Sequence, residues 1–240
     1  NLVPRATARA EWMAASASVA EDGIRFERSR HVIARSLDRL CAAGSRVRLV
    51  RQTDPGRAEV ECFIAERFRT AHGARVAGFM PLLLGVWSGE TCRAALGIRP
   101  AAGGPLYLEH YLDQPAEQAI AAICRVPVSR ATLVEIGNLV SAPGGATPLL
   151  FLLLLAVLDR AGYRWLMFTA TPQVQRGVRA LGFEIVSVCT ADPLRVADTA
   201  AWGSYYDSRP QVMLGCVEDG MRRCASDPRL AAALRRAETV

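Results

Sequence analysis

The chain predicts a mixed α/β domain, and three observations carry that expectation. Its second half alternates strand, helix, strand, helix and strand with short links. Its first half supplies a strand, a helix and a hairpin. With 240 residues, 51% of them hydrophobic, there is apolar material for one large core with appended ends.

The elements follow in chain order. Between Ala15 and Arg39, apolar residues at helical spacing (Ile24, Phe26, Val32, Ile33, Leu37) predict one or two amphipathic helices before Gly44 breaks the pattern. Arg46 to Arg51 alternates with period two and reads as a half-buried strand. Asp54 and Pro55 read as the cap and first turn of a helix from about Arg57 to Ala74, with Val60, Phe63, Ile64 and Phe68 on its apolar face. Met80–Trp87 and Thr91–Ile98 read as strands joined by a tight turn at Ser88, Gly89 and Glu90. A looser stretch, Leu106–Pro115, precedes a short helix at Ala116–Cys124. Ala131–Val140 is a strand rich in branched residues, Ser141–Ala146 a glycine loop and Thr147–Ala161 a strongly apolar helix. Its apolar run, Pro148–Leu158, is too short to cross a bilayer. Arg164–Thr169, Pro172–Leu181 and Phe183–Val188 complete the alternation. The expected divisions are an N-terminal helical extension (1–44), a core domain (45–215) and a C-terminal helix (216–240).

Composition removes several chemistries. All 29 basic residues are arginine, so lysine Schiff bases, lysine general bases and a phosphate-loop lysine are excluded. A coding bias accounts for this; so does a need for arginine at phosphates or carboxylates. Seven cysteines without a C-x-x-C pair fit a reducing compartment, and the start of the chain does not read as a secretory signal, so the expected location is cytoplasmic. His31, His72 and His110 are dispersed, and no metal site is expected.

The most informative stretch runs from Val134 to Thr147. Thr147 is a plausible N-cap, Pro148 suits the first helical position, and Gly144 and Gly145 permit close backbone approach. A glycine loop that opens a helix offers free amides and a positive dipole end, which suits a pyrophosphate or phosphopantetheine phosphate. A plain strand-to-helix turn has the same composition, so both readings stand.

The order strand, loop, apolar helix, strand, helix and then LGFE at Leu181–Glu184 resembles the GNAT superfamily of N-acyltransferases. That resemblance implies a three-layer α/β/α fold with helical extensions at both ends and a thioester held between two splayed strands. SAPGGA at Ser141–Ala146 fits the family's acyl-CoA loop in its last places and departs from it at Ser141. The tyrosine acid of many members would fall at Val178. Five phrases, LYLEHYLDQP (Leu106–Pro115), VEIGNLV (Val134–Val140), WLMFTATPQV (Trp165–Val174), ADP (Ala191–Pro193) and WGSYYDSRPQV (Trp202–Val212), are similar to the thermostable hemolysin family, whose layout resembles acyl-homoserine lactone synthases.

The resemblance implies an N-acyltransferase that moves an acyl group from a CoA or acyl-carrier-protein thioester to a small amine such as an amino acid. It implies no permanently bound cofactor. Glu135 is then the candidate base, or else an arginine's structural partner. Asn138 orients substrate, and the amides of Leu139 and Val140 receive the oxyanion. Ser141, Gly144, Gly145, Ala146 and Thr147 take the donor phosphates. Glu109, His110 and Tyr111 line the acceptor pocket or form a surface loop. Trp202, Tyr205 and Tyr206 pack or line that pocket, and Tyr205 is the candidate replacement acid. The arginine-rich ends suit an acidic acyl carrier protein; no nucleic-acid motif accompanies them. The rival functions are a membrane-active toxin, as the family label suggests, and a non-catalytic thioester-binding module.

Overall fold

In this computed structural model the described residues are 45–143 and 146–238, with side chains as far as Arg235. The helices expected between Ala15 and Arg39, and Gly144 and Gly145 of the loop, lie outside the described residues.

The alternating segment after Gly44 forms β1 (Arg46–Val50), and α1 (Arg57–His72) follows it. Asp54 does not cap α1. Its carboxylate accepts the Arg51 N–H at 2.8 Å and closes a turn, and Gly56 takes the cap position without any side-chain bond. The hairpin is β2 (Leu82–Ser88) and β3 (Thr91–Pro100), closed by a two-residue turn in which Gly89 has φ 59°. The looser stretch contains a short 3-10 helix at Tyr107–Tyr111, then α2 (Ala116–Cys124) and β4 (Leu133–Ser141). Next come α3 (Thr147–Arg160), β5 (Trp165–Ala170), α4 (Pro172–Ala180) and β6 (Ile185–Thr190). Thr147 is the first residue of α3 rather than its cap, because the Ala146 carbonyl already accepts the Leu150 N–H at 3.0 Å.

A seventh strand, β7 (Gln211–Cys216), was not legible in the sequence. It inserts antiparallel between β5 and β6, and its two faces are buried in different core clusters, Met213 on the α3 side and Val212 and Leu214 on the other, so Val212–Leu214 show no period-two alternation. The sheet order is β1-β2-β3-β4-β5-β7-β6, and β4 with β5 is its one parallel pair among the described residues. Beyond β7 the chain forms two helices, α5 (Val217–Ser226) and α6 (Pro228–Glu238), which pack on α3. Helices cover both faces, giving three layers.

Two chemistries separate the faces. On one, α3 buries Leu149, Leu150, Leu152, Leu153, Leu154, Leu155 and Leu158 between the sheet and α5 and α6, which explains why it is apolar all round. On the other, two smaller clusters form: one under α1 (Val60, Ile64, Leu83, Trp87, Val140) and one under α2 (Leu108, Ile120, Leu133, Met167, Leu214). The seam between those two clusters becomes the site. No helix among the described residues is long and apolar enough to span a membrane.

Leu150 is fully buried at the centre of the α3 layer. Leu150→Ala should cost about 2–5 kcal/mol by the cavity it leaves, read as a lower urea midpoint with an unchanged m-value.

Candidate active site

The site begins with one extra residue in β4. Val140 lies opposite Ala95 but Gly137 lies opposite Gly97, so Asn138 and Leu139 share the single residue Leu96. This is a β-bulge, and Asn138 adopts φ 50°, a conformation that asparagine tolerates better than most residues. Its carboxamide is also committed: Oδ1 accepts the Met80 N–H at 2.9 Å, and Nδ2 donates to the Gly78 carbonyl at 3.3 Å. Expected to orient substrate, Asn138 here holds the chain entering β2.

A bulge bends its strand, and β4 leaves β5 at this point. The parallel ladder runs from Leu133 opposite Trp165 to Ile136 opposite Phe168 and stops. From Gly137 to Ser141, β4 continues beside β3, while Thr169 and Ala170 of β5 pair with Val212 and Gln211 of β7. A wedge therefore opens between the ends of β4 and β5.

The ladder decides which amides face that wedge. The Ala142 N–H donates to the Arg93 carbonyl at 2.8 Å, and Val140 lies opposite Ala95, so the alternation of an antiparallel pair turns the Val140 N–H towards β3 as well. Leu139 and Ser141 turn theirs to the other side, into the wedge. Of the two amides expected at an oxyanion, Leu139 alone is directed there. The Ser141 hydroxyl donates to the Ala142 carbonyl, the Arg93 guanidinium donates to the Pro143 carbonyl at 2.7 Å, and Ala146 is buried at the start of α3.

Glu135 lies on the α1/α2 side of β4 and is 3% exposed. Its two oxygens accept the N–H groups of Tyr107 and Leu108, each at 2.9 Å, so the carboxylate caps the 3-10 helix, and Arg99, opposite it on β3, adds the pull of a positive charge. Burial raises its pKa and outweighs the opposing pull of those two bonds. Each oxygen retains a further lone pair.

Glu109 lies on the same segment with a different environment. Its carboxylate takes two bonds from Arg130, at 2.6 and 2.8 Å, and accepts the N–H groups of Leu106 (2.7 Å) and Ala116 (2.9 Å). Arg130 also binds Glu117 and the carbonyls of Ala101 and Gly104. With four donors on two oxygens, Glu109 is a structural knot and does not line an acceptor pocket. Arg130 foremost holds its pKa down at about 2. His110 is exposed, its Nδ1 within 2.7 Å of the Tyr107 carbonyl, and Tyr111 points inwards.

The seam between the two smaller clusters is aromatic. Four of the five tyrosines, Tyr107, Tyr111, Tyr205 and Tyr206, join Trp202, Phe68 and His72 in one connected group with ring centroids 5.3 to 6.5 Å apart. Tyr111 and Tyr206 share a hydroxyl–hydroxyl bond of 2.6 Å. Burial raises the pKa of Tyr205 and pushes Tyr206 up to about 12, while it lowers that of His72, which favours neutral imidazole. The structure thus brings Trp202, Tyr205 and Tyr206 together with Tyr111, and adds Phe68 and His72, which the sequence assigned to a helix face and to no site. Val178, where the family's usual tyrosine acid would fall, is buried on the α3 side.

Segment 199–208 reaches this seam by docking on the end of α1. The His72 carbonyl accepts the Ser204 N–H at 2.9 Å, and the Ala201 carbonyl accepts the Arg75 N–H at 2.7 Å. Gly203 has φ 53° and ψ −128°, and a Cβ there would stand 2.0 Å from the His72 carbonyl oxygen.

A mixed sheet with a bulged β4, a wedge beside a parallel β5 and a loop entering a helix defines the GNAT-type acyltransferase fold. The chain belongs to the thermostable hemolysin family, whose sequence model matches residues 50–221. Among solved structures it is similar to the AHL synthase LasI, with a TM-score of 0.52 and 11% identity over 72% of this chain and 90% of that one. It is similar to FeeM, an N-acyl amino acid synthase from uncultured soil microbes, at 0.52 and 13% over 78% and 97%. It also resembles the CoA-dependent acyl-homoserine lactone synthase BjaI, solved with SAM and isopentyl-CoA, at 0.50 and 11% over 82% and 100%. No curated protein sequence matches the chain.

Two outcomes test this assembly. Gly203→Ala should undock segment 199–208, seen as loss of near-ultraviolet circular dichroism from the aromatic group with the far-ultraviolet spectrum kept. Glu109, depressed from 4.5 to about 2, adds stability above its unfolded value and loses it as pH falls from about 4.5 towards 2. The Tm of Glu109→Gln should accordingly be lower than wild type near neutrality, with the gap closing across that window.

Proposed function

We propose that this protein is an N-acyltransferase that moves an acyl group from a CoA or acyl-carrier-protein thioester to a small amine such as an amino acid. The observation that carries the reading is the wedge where β4 leaves β5 after Ile136 and Phe168. It offers a thioester an unpaired strand edge at the mouth of a helix-opening loop. The likeness to an AHL synthase and an N-acyl amino acid synthase supports it, since both join an acyl group to an amine.

In the proposed reaction the amine nitrogen attacks the thioester carbonyl carbon. A C–N bond forms, the carbonyl oxygen takes negative charge opposite the Leu139 N–H, and the C–S bond then breaks. The amine's surplus proton passes to Glu135, directly or through one water, because a carboxylate made more basic by burial is suited to it. The departing thiolate takes a proton from Tyr205, the aromatic hydroxyl nearest in role to the family's missing acid. Ser141, Gly144, Gly145, Ala146 and Thr147 would receive the donor's phosphates at the start of α3. Trp202, Tyr206 and Tyr111 would wall the acceptor.

Purified protein given acyl-CoA with an amino acid pool should release free thiol only when amine is present. Dye leakage from liposomes without thiol release would mark a membrane-active toxin, and thioester binding with neither would mark a binding module. Glu135→Gln should lower turnover by about 10²-fold or more, the usual contribution of a general base. Because Glu135 also caps residues 107–108, CoA binding and Tm are measured on the same variant. Unchanged turnover would remove Glu135 from the proton path.

A further inference from the structure

The edge of the sheet at which the wedge opens carries a further polar cluster, on α4. Gln175 is buried there. Its carboxamide nitrogen donates to the Ala170 carbonyl at 3.1 Å and lies 3.5 Å from the Gln211 carboxamide oxygen, so it is anchored to the paired ends of β5 and β7. Its oxygen accepts a bond from Arg179 Nη1 at 3.2 Å. The two residues are one helical turn apart, and helical side chains lean towards the N-terminus, so the guanidinium is drawn back to the end of α4 nearest the wedge. It lies one carboxamide and two hydrogen bonds from Ala170, a β5 residue with no β4 partner.

What this guanidinium lacks is an acid. Arg57, Arg130 and Arg195, also partly buried, pair with Glu61, Glu109 and Asp113. Arg179 is half-buried as well, yet no carboxylate among the described residues pairs with it. Burial lowers its pKa, and no neighbouring charge opposes that shift. A cation drawn out of water without a counter-charge is costly, so it is ordinarily paired. Gln175 orients the fork through a neutral oxygen and leaves its positive charge uncompensated. An anion completes such a site, and a planar fork with N–H donors to spare suits a phosphate.

We infer that Arg179, set by Gln175, takes the 3′-phosphate of a CoA donor, so that the thioester used is acyl-CoA rather than an acyl carrier protein. This rests on the acyltransferase reading and selects between the two donors that reading leaves open. α3 and α4 begin at the ends of the parallel strands β4 and β5 and pack beside each other, so the start of α3 and Arg179 lie along one edge of the sheet. With the pyrophosphate at the start of α3, the adenosine turns towards α4. Its 3′-phosphate, a monoester with a charge of about −2, then meets the guanidinium. A carrier protein has a serine in place of the nucleotide and would leave Arg179 bare.

The test uses the full-length protein and four probes: CoA, 3′-dephospho-CoA, 4′-phosphopantetheine and a phosphopantetheinylated acyl carrier protein, with affinities measured by calorimetry. The wild type should bind CoA at least about tenfold more tightly than 3′-dephospho-CoA, the worth of a charge-assisted bond. In Arg179→Gln the two should bind alike, at the wild-type affinity for 3′-dephospho-CoA, because only the contact with the 3′-phosphate is removed. Arg179→Lys keeps the charge, loses the fork and should retain part of the preference. A merely structural role for Arg179 would weaken both ligands together and leave their ratio unchanged. If the wild type binds the two alike, or Arg179→Gln keeps the wild-type ratio, the phosphate assignment falls and the acyltransferase reading stands. If the carrier protein binds and CoA does not, the assignment likewise falls. If none of the four binds, the acyltransferase reading falls.

Discussion

The site depends on one residue inserted into β4. The bulge at Asn138 falls where the β4–β5 ladder ends, so Thr169 and Ala170 of β5 have no β4 partners and a wedge opens there. The left-handed conformation there disfavours most side chains, and asparagine lowers that cost while its carboxamide holds residues 78 and 80. A single residue thereby bends the strand, opens the sheet and fixes the backbone that crosses the opening.

Buried carboxylates perform the second task, which is to attach an irregular segment to a sheet. Residues 101–116 have little regular structure with which to satisfy their own amides. Glu135 accepts two of them from below, and Glu109 accepts two more and binds Arg130. The two acids shift in opposite directions for the same reason that they differ in role. Glu109 has a guanidinium bonded to it and stays ionised; Glu135 has two amides and only the charge of Arg99, without a bond from it, and desolvation prevails. A carboxylate with raised pKa, two residues from the wedge, is where proton transfer is chemically reasonable.

Much of the scaffold was legible in the sequence because periodicity is a local signal. The apolar helix at 147–160, the hairpin around Gly89 and the alternation from Leu133 to Thr190 follow directly from residue spacing. What escaped depends on distant partners. β7 is apolar on both faces because core packs against each side of the sheet there, and Val212–Leu214 alone do not announce that. Glu109, in a polar cluster with His110 and Tyr111, looked like pocket lining or a surface loop; Arg130, 21 residues on, binds it. Phe68 and His72 looked like a helix face because the aromatics they meet come from residues 202–206. Asn138 was read as a residue that orients substrate, and its backbone angle, the property that bends β4, leaves no mark in a single sequence.

The all-arginine composition also gains a structural meaning around the site. Arg57 gathers the carbonyls of Met80 and Pro81, Arg130 those of Ala101 and Gly104, and Arg195 those of Tyr111 and Leu112. In each case one planar fork binds two carbonyls of an irregular segment and also an acid: Glu61, Glu109 and Asp113 respectively. A lysine ammonium lacks that fixed fork and would hold such pairs less rigidly. A coding bias would have supplied the same arginines, and these irregular segments use them.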